Sequence, residues 1–466
     1  MQISSTWDTG GVITLQKLSG IHFYVCITNF NQVILDEEKQ TGSVTHALHA
    51  LDTFFTSIES FGKKLSKRFI VEKITGSRLH LYIVDEIIPA YEIVATVSEF
   101  AYKLAKYFRT DISKYKTLKP FSINVGVAYG KFYDFEFTSM EGFSETTTIG
   151  YAANFAAKLQ ALSSENMISI SESIFEVLAS DEKKKYKEVA DDTIKKYDQN
   201  KYYTSPLINL ASALPISEEN LTGVKEYANR TNLSDIDFSG VRSPLNFNNL
   251  TKTQCKKLDG IPVYADVRDF TCQFEEDDSN LDEMAQKTQQ ILEAMYRIST
   301  MHGGIHVQFQ GDRELSLYHN VPQHSINGRT VPEKKCFKSA VLAAMRMIDA
   351  VKPYSVHIGV GEDFGRLFAT KIGARGEKDN ILLGETVIQA DIMEDKYAGE
   401  DQIAITSEVY TGLRSEDSFL AQKFVNSGIC YIATMGYSEY MRHVSYQQQS
   451  RNTSQNNYNG AWGELN

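Results

Sequence analysis

Two aspartates in the second half of the chain have the placement expected of a metal site. Asp266 lies in an apolar run, where an unpaired carboxylate is costly, and Asp312 follows Gly311 at the turn of a predicted hairpin. A Gly-Asp pair by itself is most simply explained by turn chemistry. Together, the two carboxylates offer the oxygen ligands that Mg²⁺ or Mn²⁺ takes in phosphoryl chemistry. We therefore predict a metal site at Asp266, the adjacent Val267 and Asp312.

The segment after Asp266 is predicted to bind phosphate. Residues 267–271 (VRDFT) lead from a strand toward a helix. Backbone N–H groups at such a junction attract anions. We expect this loop, with Phe270 and the hydroxyl of Thr271, to hold the β- and γ-phosphates of a substrate.

Both aspartates belong to the second of two related copies. Two pairs of segments are similar: residues 20–30 (GIHFYVCITNF) with 260–271 (GIPVYADVRDFT), and 71–78 (VEKITGSR) with 307–314 (VQFQGDRE). At the aspartate positions the first copy has Cys26 and Ser77. It therefore lacks the predicted metal ligands.

A third pair of segments shows the opposite loss: residues 147–159 (TTIGYAANFAAKL) and 381–393 (ILLGETVIQADIM). Here the first copy has Asn154 and Lys158, and the second has Ile388 and Ile392. Each copy holds what the other lacks. This pattern indicates one active site that is assembled from two related domains.

The same order of predicted elements occurs in both copies. Apolar spacing predicts strand, helix, hairpin, helix, strand, helix and strand at 20–30, 45–66, 69–84, 90–108, 121–137, 150–162 and 167–170, and again at 260–271, 281–300, 304–319, 334–351, 354–370, 385–395 and 402–406. The glycine-rich stretch 359–365 is interpreted as a hairpin. The strand–helix–strand–strand–helix–strand order describes an α+β, ferredoxin-like domain.

Composition sets the domain boundaries and the expected location. The chain divides into domains at 15–205 and 259–440, a polar linker at 206–258 and a Gln/Asn/Ser-rich, disordered tail at 441–466. A net charge of −11 argues against nucleic acid or an anionic membrane as the main partner. The chain shows no signal peptide, no bilayer-spanning apolar stretch and no CxxC pair among its 5 cysteines. We expect a cytoplasmic protein.

Three segments resemble the class III nucleotidyl cyclases: ADVRDFT (265–271), HGGIHVQFQGD (302–312) and ILLGETVIQADIMED (381–395). The resemblance covers nearly everything from 20 to 430, as two cyclase domains. In that family two domains pack head to tail and lend residues to sites at their interface. The resemblance implies two tandem cyclase domains that form a pseudo-heterodimer within one chain. Sites formed between chains, in a homodimer, remain an alternative.

The resemblance also implies roles for individual residues. Asp266 and Asp312 would bind two Mn²⁺ or Mg²⁺ ions, and Asn154 would orient the ribose. Lys158 stands where the family usually has Arg, and would neutralise charge on the α-phosphate. A Lys keeps the charge but loses the bidentate geometry of Arg. A solvated helix lysine is the alternative for Lys158.

The base pocket is expected in the first copy, where the two base-reading positions of the family match Lys73 and Thr147. This pair resembles that of adenine-reading bacterial cyclases, and the Glu and Cys typical of guanylyl cyclases are absent. Residues 358–395, however, look most like the pyrimidine cyclases of the bacterial Pycsar anti-phage systems. Tyr264, two residues before Asp266 on the same strand face, is then a wall that narrows the pocket or a core aromatic.

The favoured substrate is CTP, followed by UTP. Lys73 only donates hydrogen bonds and Thr147 does either, which fits the N3/O2 side of cytosine. The expected products are a 3′,5′-cyclic monophosphate and pyrophosphate, and the cyclic nucleotide would reach a downstream effector in anti-phage defence. The alternatives are an adenylate cyclase that makes cyclic AMP and an inactive, nucleotide-sensing pseudo-cyclase.

Overall fold

The computed structural model of the chain describes residues 2–6, 12–140, 142–210, 218–230, 237–241, 243–251, 254–268, 281–326, 329–373 and 379–445. Its α-helices are α1 (Phe30–Thr41), α2 (Thr45–Leu65), α3 (Ile87–Asp111), α4 (Tyr151–Leu162), α5 (Glu172–Val177), α6 (Ser180–Lys183), α7 (Glu218–Arg230), α8 (Leu281–Met301), α9 (Phe337–Val351), α10 (Glu385–Ile392), α11 (Ser407–Glu416) and α12 (Ser418–Ala421). None of these helices is both long enough and apolar enough to cross a bilayer.

The strands of the first half are β1 (Gln2–Thr6), β2 (Val12–Ile27), β3 (Phe69–Thr75), β4 (Arg78–Ile83), β5 (Ile123–Thr138), β6 (Ser144–Ile149), β7 (Met167–Ile170), β8 (Lys187–Ala190) and β9 (Lys201–Pro206). Those that follow are β10 (Asp237–Gly240), β11 (Gln254–Val267), β12 (Ile305–Gln310), β13 (Arg313–His319), β14 (His324–Ile326), β15 (Arg329–Val331), β16 (Ile358–Glu362), β17 (Gly365–Ile372), β18 (Asp379–Leu383), β19 (Gln402–Ile405), β20 (Val425–Asn426) and β21 (Tyr431–Ala433).

Two sheets carry the same strand order. The first runs β3-β4-β2-β5-β7-β9-β8 and the second β12-β13-β11-β16-β19-β21-β20. In each sheet the long first strand lies between the hairpin and the next long strand, antiparallel to both. The predicted α+β class and the internal repeat are confirmed.

Helix spacing and strand alternation build the first core. Phe54, Ile58 and Phe61 of α2 lie on one buried face of that helix. Ile21 and Phe23 of β2 alternate with residues that project to the other face of the sheet, because successive strand side chains point to opposite faces. Helix α4 packs on that other face. The helices α2 and α3 therefore close one side, and α4 the other.

Each half contributes a pair of strands to the core of the other, β5 and β6 from the first half and β17 and β18 from the second. Tyr133, Phe135 and Phe137 of β5 belong to an apolar cluster whose other members come largely from the second half. In return, Phe368 of β17 and Ile381 of β18 belong to the core of the first half. Strand β6 pairs with β5, and β18 pairs with β17, so both partner strands also lie at the junction. The two halves therefore share their cores.

The hairpin predicted at 359–365 is wrong. Strands β16 and β17 do not pair with each other in this region; both pair antiparallel with β11. The glycines make room for a helix instead, because a Cβ on Gly361 would lie 2.2 Å from the Glu394 nitrogen and 2.3 Å from the Ala390 oxygen. Gly126 has the same relation to α4 in the first half.

The stretch between the two copies contains regular elements. Helix α7 packs on α2, where the Tyr227 hydroxyl donates to Asp52 Oδ2 at 3.1 Å. Strand β10 pairs in parallel with β11 and so joins the second sheet. Helix α1 was also absent from the sequence-based prediction. Of the disordered tail predicted at 441–466, residues 441–445 are helical, and the rest lies outside the described residues.

Candidate active site

The two predicted metal aspartates lie at neighbouring ends of strands in the second sheet. Asp266 is next to last in β11 and pairs across the ladder with Arg313, the first residue of β13. Asp312 occupies the turn before β13, where Gly311 takes a left-handed conformation at φ +71°. Ladder and turn thus bring both carboxylates to the same edge.

Burial controls the charge of Asp312. Its residue is 6% exposed, and this burial raises the pKa of its carboxyl to about 6, with the negative Glu394 acting in the same direction. Arg313 and Arg268 oppose the rise. A buried carboxylate with this pKa gains from a nearby cation, because the cation favours its charged form.

Two arginines and a buried glutamate surround Asp266. Arg268 Nη1 lies 3.3 Å from Asp266 Oδ2 and 2.6 Å from Glu394 Oε1. Arg313 lies 2.5 Å from Glu394 Oε2 and 2.6 Å from Asp391 Oδ1. Burial raises the pKa of Glu394 to about 7 against the pull of both arginines. The carboxylates of this edge are therefore partly neutralised by the protein itself.

Sequence reasoning missed this network. Asp391 and Glu394 are spaced i, i+3 within the quoted segment 381–395, which places them on one side of a helical run. Arg268 and Arg313 each follow an aspartate of the predicted metal pair by one or two residues. Those spacings were the available signal.

The donor set fits a divalent ion that shares its shell with a substrate. Within the described ranges, no group of three or more His, Cys, Asp and Glu side chains is arranged to hold a metal. Asp266 and Asp312 would therefore supply two carboxylates, and Val267 only its backbone carbonyl, with phosphate and water oxygens completing the shell. Phe270 and Thr271 of the predicted phosphate loop lie outside the described residues.

The first half reaches the Asp312 turn through β6 and α4. The Gly311 N–H donates to Thr147 Oγ1 at 2.8 Å. A Cβ on Gly311 would lie 3.6 Å from the Thr148 carbonyl oxygen and 4.0 Å from Asn154 Oδ1. The structure therefore brings Thr147 and Asn154 of one half against the metal-bearing turn of the other.

Lys158 lies one helical turn after Asn154 on α4. The i, i+4 spacing places both on the same helix face. Lys158 is half-buried. The pKa of Asp191 is lowered chiefly by its hydrogen bond from Thr193, and further by the charge of Lys158, which places the lysine near the start of the turn at 192–197.

The two predicted base-reading residues already have protein partners. Lys73 is 3% exposed; its Nζ lies 2.5 Å from Glu145 Oε1 and donates to the Phe309 carbonyl oxygen. Burial would lower the pKa of Lys73, but Glu145 outweighs it and the pKa is raised. Thr147 is fully buried, and its hydroxyl lies 3.4 Å from Glu72. Neither side chain faces open space in this structure.

Tyr264 packs beneath one of the arginines. It is 4% exposed, and the Arg313 guanidinium carbon lies 4.0 Å from the centre of its ring. Burial raises the pKa of its hydroxyl to about 12. Tyr264 thus supports Arg313 by cation–π contact.

The opposite side of the junction lacks the metal residues. Cys26 is buried with its Sγ 3.9 Å from Ser77 Oγ, and burial raises the pKa of this thiol. Ile388 of α10 is 45% exposed there. A cavity of about 440 Å³ lies between α1 and α10, lined by both apolar and acidic side chains.

The comparisons with known proteins agree with this architecture. No model of a known protein family matches the sequence, and no curated protein matches it. A class III adenylyl cyclase-like ATP-binding protein from Pseudomonas aeruginosa is similar in structure over 95% of this chain and 93% of its own, with a TM-score of 0.67 and 18% identity. The chain has the class III cyclase fold twice in tandem.

Single cyclase domains match one part of the chain. The adenylyl cyclase CyaB from P. aeruginosa covers 38% of this chain with 93% of its own length, at a TM-score of 0.31 and 20% identity. The guanylate cyclase domain of RhGC from Catenaria anguillulae, in complex with GTP, covers 38% of this chain with 96% of its own length, at a TM-score of 0.30 and 18% identity.

Proposed function

We propose that the chain is a nucleotidyl cyclase with one working site at the junction of its two halves. The observation that carries the proposal is the contact between the Gly311–Asp312 turn of the second half and Thr147 and Asn154 of the first. Asp312 and Asn154, each kept by one copy only, lie on this side. On the other side Ser77 and Ile388 take their places.

The proposed roles are those that the resemblance to the class III cyclases implies. Asp266 and Asp312 would hold two Mn²⁺ or Mg²⁺ ions, which when bound would activate the ribose 3′-hydroxyl and neutralise the triphosphate. Asn154 orients the ribose, and Lys158 neutralises charge on the α-phosphate. The 3′-oxygen forms a bond to the α-phosphorus as the bond to pyrophosphate breaks. The hydroxyl proton leaves with the products.

The substrate is a pyrimidine nucleoside triphosphate, CTP before UTP. The support is the resemblance of residues 358–395 to the anti-phage pyrimidine cyclases and the donor set of Lys73 and Thr147. Base recognition by this pair requires Lys73 to exchange Glu145 for the base. The cyclic product then acts as a second messenger for an effector in anti-phage defence. Cyclic AMP is the alternative product.

A second candidate is nucleotide binding without turnover. Arg268 and Glu394 occupy the immediate surroundings of Asp266, so the protein already supplies a counter-charge where an ion is expected. The similar protein from Pseudomonas aeruginosa is described as ATP-binding. In this case a nucleotide binds at the junction and the bond to pyrophosphate stays intact.

One assay separates the two candidates. Purified protein is incubated with Mn²⁺ and ATP, GTP, CTP or UTP, and cyclic product and pyrophosphate are measured beside calorimetric binding of the same nucleotides. We expect cyclic CMP, and more slowly cyclic UMP, with an Asp312→Asn control inactive. Binding without any product supports the second candidate instead. Faster conversion of ATP than of CTP or UTP contradicts the pyrimidine assignment.

A further inference from the structure

Three hydrogen bonds tie β6 of the first half to the β12–β13 hairpin that carries Asp312. Glu145 accepts from the Phe309 N–H at 2.9 Å, and its second oxygen lies 2.9 Å from His306 Nε2. Thr147 accepts from the Gly311 N–H at 2.8 Å. We call Glu145, Thr147 and these bonds the clasp. The clasp contacts the hairpin at Gly311, the residue before Asp312, and upstream at Phe309 and His306.

The clasp is charged and buried. Burial opposes ionisation of Glu145, but Lys73 and His306 outweigh it and lower the pKa of this carboxyl. Burial also opposes protonation of His306, yet Glu145 and Glu314 raise its pKa to about 9. A carboxylate between two cations in a buried interface fixes geometry, since breaking one pair leaves a charge unpaired.

The other side of the junction holds a similar carboxylate contact without the second hydrogen bond that Thr147 makes. Asp379 of β18 corresponds to Glu145 and accepts from the Ile74 N–H at 2.7 Å, on the hairpin that carries Ser77. Burial raises the pKa of Asp379 to about 7. The counterpart of Thr147 is Ile381, which has no hydrogen-bonding side chain. The stronger contact therefore serves the hairpin that bears a metal ligand.

We propose that Glu145 and Thr147 are positioning residues that hold the Asp312 turn in the geometry its metal ions require. This inference rests on the proposed function, because it concerns the same metal site. It gives Thr147 a role in supporting the metal-bearing turn, beside the contact with the base that the proposed function assigns to it. Metal binding by the second half then depends on side chains of the first.

The test compares Glu145→Gln with Asp379→Asn, a matched replacement of one carboxyl group by its amide on each side of the junction. Thr147→Val removes the hydroxyl that accepts the hydrogen bond from Gly311, and Thr147→Ser keeps that hydroxyl. We expect Glu145→Gln, which weakens charge-assisted hydrogen bonds, and Thr147→Val, which removes a neutral one, each to raise the Mn²⁺ concentration for half-maximal rate about tenfold. In Glu145→Gln the maximal rate at saturating Mn²⁺ should stay within about twofold.

Backbone hydrogen exchange gives a readout that does not depend on activity. Residues 305–319 should exchange faster in Glu145→Gln and Thr147→Val, whereas Asp379→Asn should affect residues 69–83 instead. Thr147→Ser should behave as the wild type in both measurements. If the wild type forms no cyclic product, the proposed function fails. The Mn²⁺ affinity of each variant, measured by electron paramagnetic resonance with CTP present, still tests whether the clasp positions the Asp312 turn.

Three results would each overturn the inference. One is an unchanged Mn²⁺ requirement in both Glu145→Gln and Thr147→Val. Another is an Asp379→Asn protein whose Mn²⁺ requirement rises as much as that of Glu145→Gln, which indicates general loosening of the junction. The third is a Thr147→Val effect that is confined to one nucleotide, because that pattern belongs to a residue that only reads the base.

Discussion

Gly126 offers a way to move Asn154 and Lys158 without replacing either. It lies where α4 crosses β5, and a Cβ there would sit 2.1 Å from the Gln160 nitrogen and 2.4 Å from the Ala156 oxygen. The atoms that it meets are helix backbone, which has no rotamer to change. In Gly126→Ala the helix must therefore retreat by about 1 Å to restore an ordinary contact.

The size of the effect follows from that displacement. A misplacement of about 1 Å in the groups that orient a substrate costs on the order of 100-fold in rate. Overpacking at the crossing costs about 1–3 kcal/mol of stability. The metal residues belong to the other half, so the Mn²⁺ concentration for half-maximal rate should change little. A lower maximal rate with an unchanged metal requirement is the expected signature.

The assay measures cyclic nucleotide formation over a range of Mn²⁺, together with the thermal unfolding midpoint. Gly223→Ala is the control, because a Cβ at Gly223 in helix α7 has nothing within 4 Å. This control should keep the wild-type rate. A folded Gly126→Ala protein with a rate within about threefold of wild type would refute the reasoning that α4 positions catalytic groups.

Two further predictions concern the pH dependence of stability and whether the site forms within one chain. The pKa of His306 is about 9 in the fold and about 6.5 when unfolded, so its protonation stabilises the fold fully below pH 6.5, and that contribution disappears as the pH rises through 9. His306→Gln should therefore lose up to about 3 kcal/mol at pH 6 and little at pH 10; equal losses contradict this. Mixing Asp266→Ala with Asn154→Ala protein should restore no activity, and restored activity shows a site between chains.

Much of the fold could be predicted from the sequence because the two copies report the same pattern twice. The hairpins at 69–84 and 304–319 and the helix 281–300 follow from apolar spacing, and the structure has them within a few residues, whereas the strand predicted at 20–30 begins earlier, at Val12. The failure at 359–365 has a physical cause. Glycines that admit a crossing helix have the same local signal as glycines that form a turn, and only the tertiary packing of Gly361 distinguishes them.

The site was less accessible to sequence reasoning, because its partners come from distant parts of the chain. The pairing of Lys73 with Glu145 joins residues that are 72 positions apart, and the Thr147–Gly311 bond joins residues 164 apart. Nothing local in β6 marks Glu145 as a contact of the second half. The roles assigned to Lys73, Thr147, Asn154 and Lys158 remain predictions.

The central claim is that one side of the junction works and the other is silent. The most direct test compares the rates of cyclic nucleotide formation by the Asp266→Ala and Cys26→Ala proteins. Cys26 occupies the position in the first half that Asp266 occupies in the second. We predict a loss of about 100-fold or more for Asp266→Ala and a rate within about twofold of wild type for Cys26→Ala. Equal effects of the two substitutions would contradict the account.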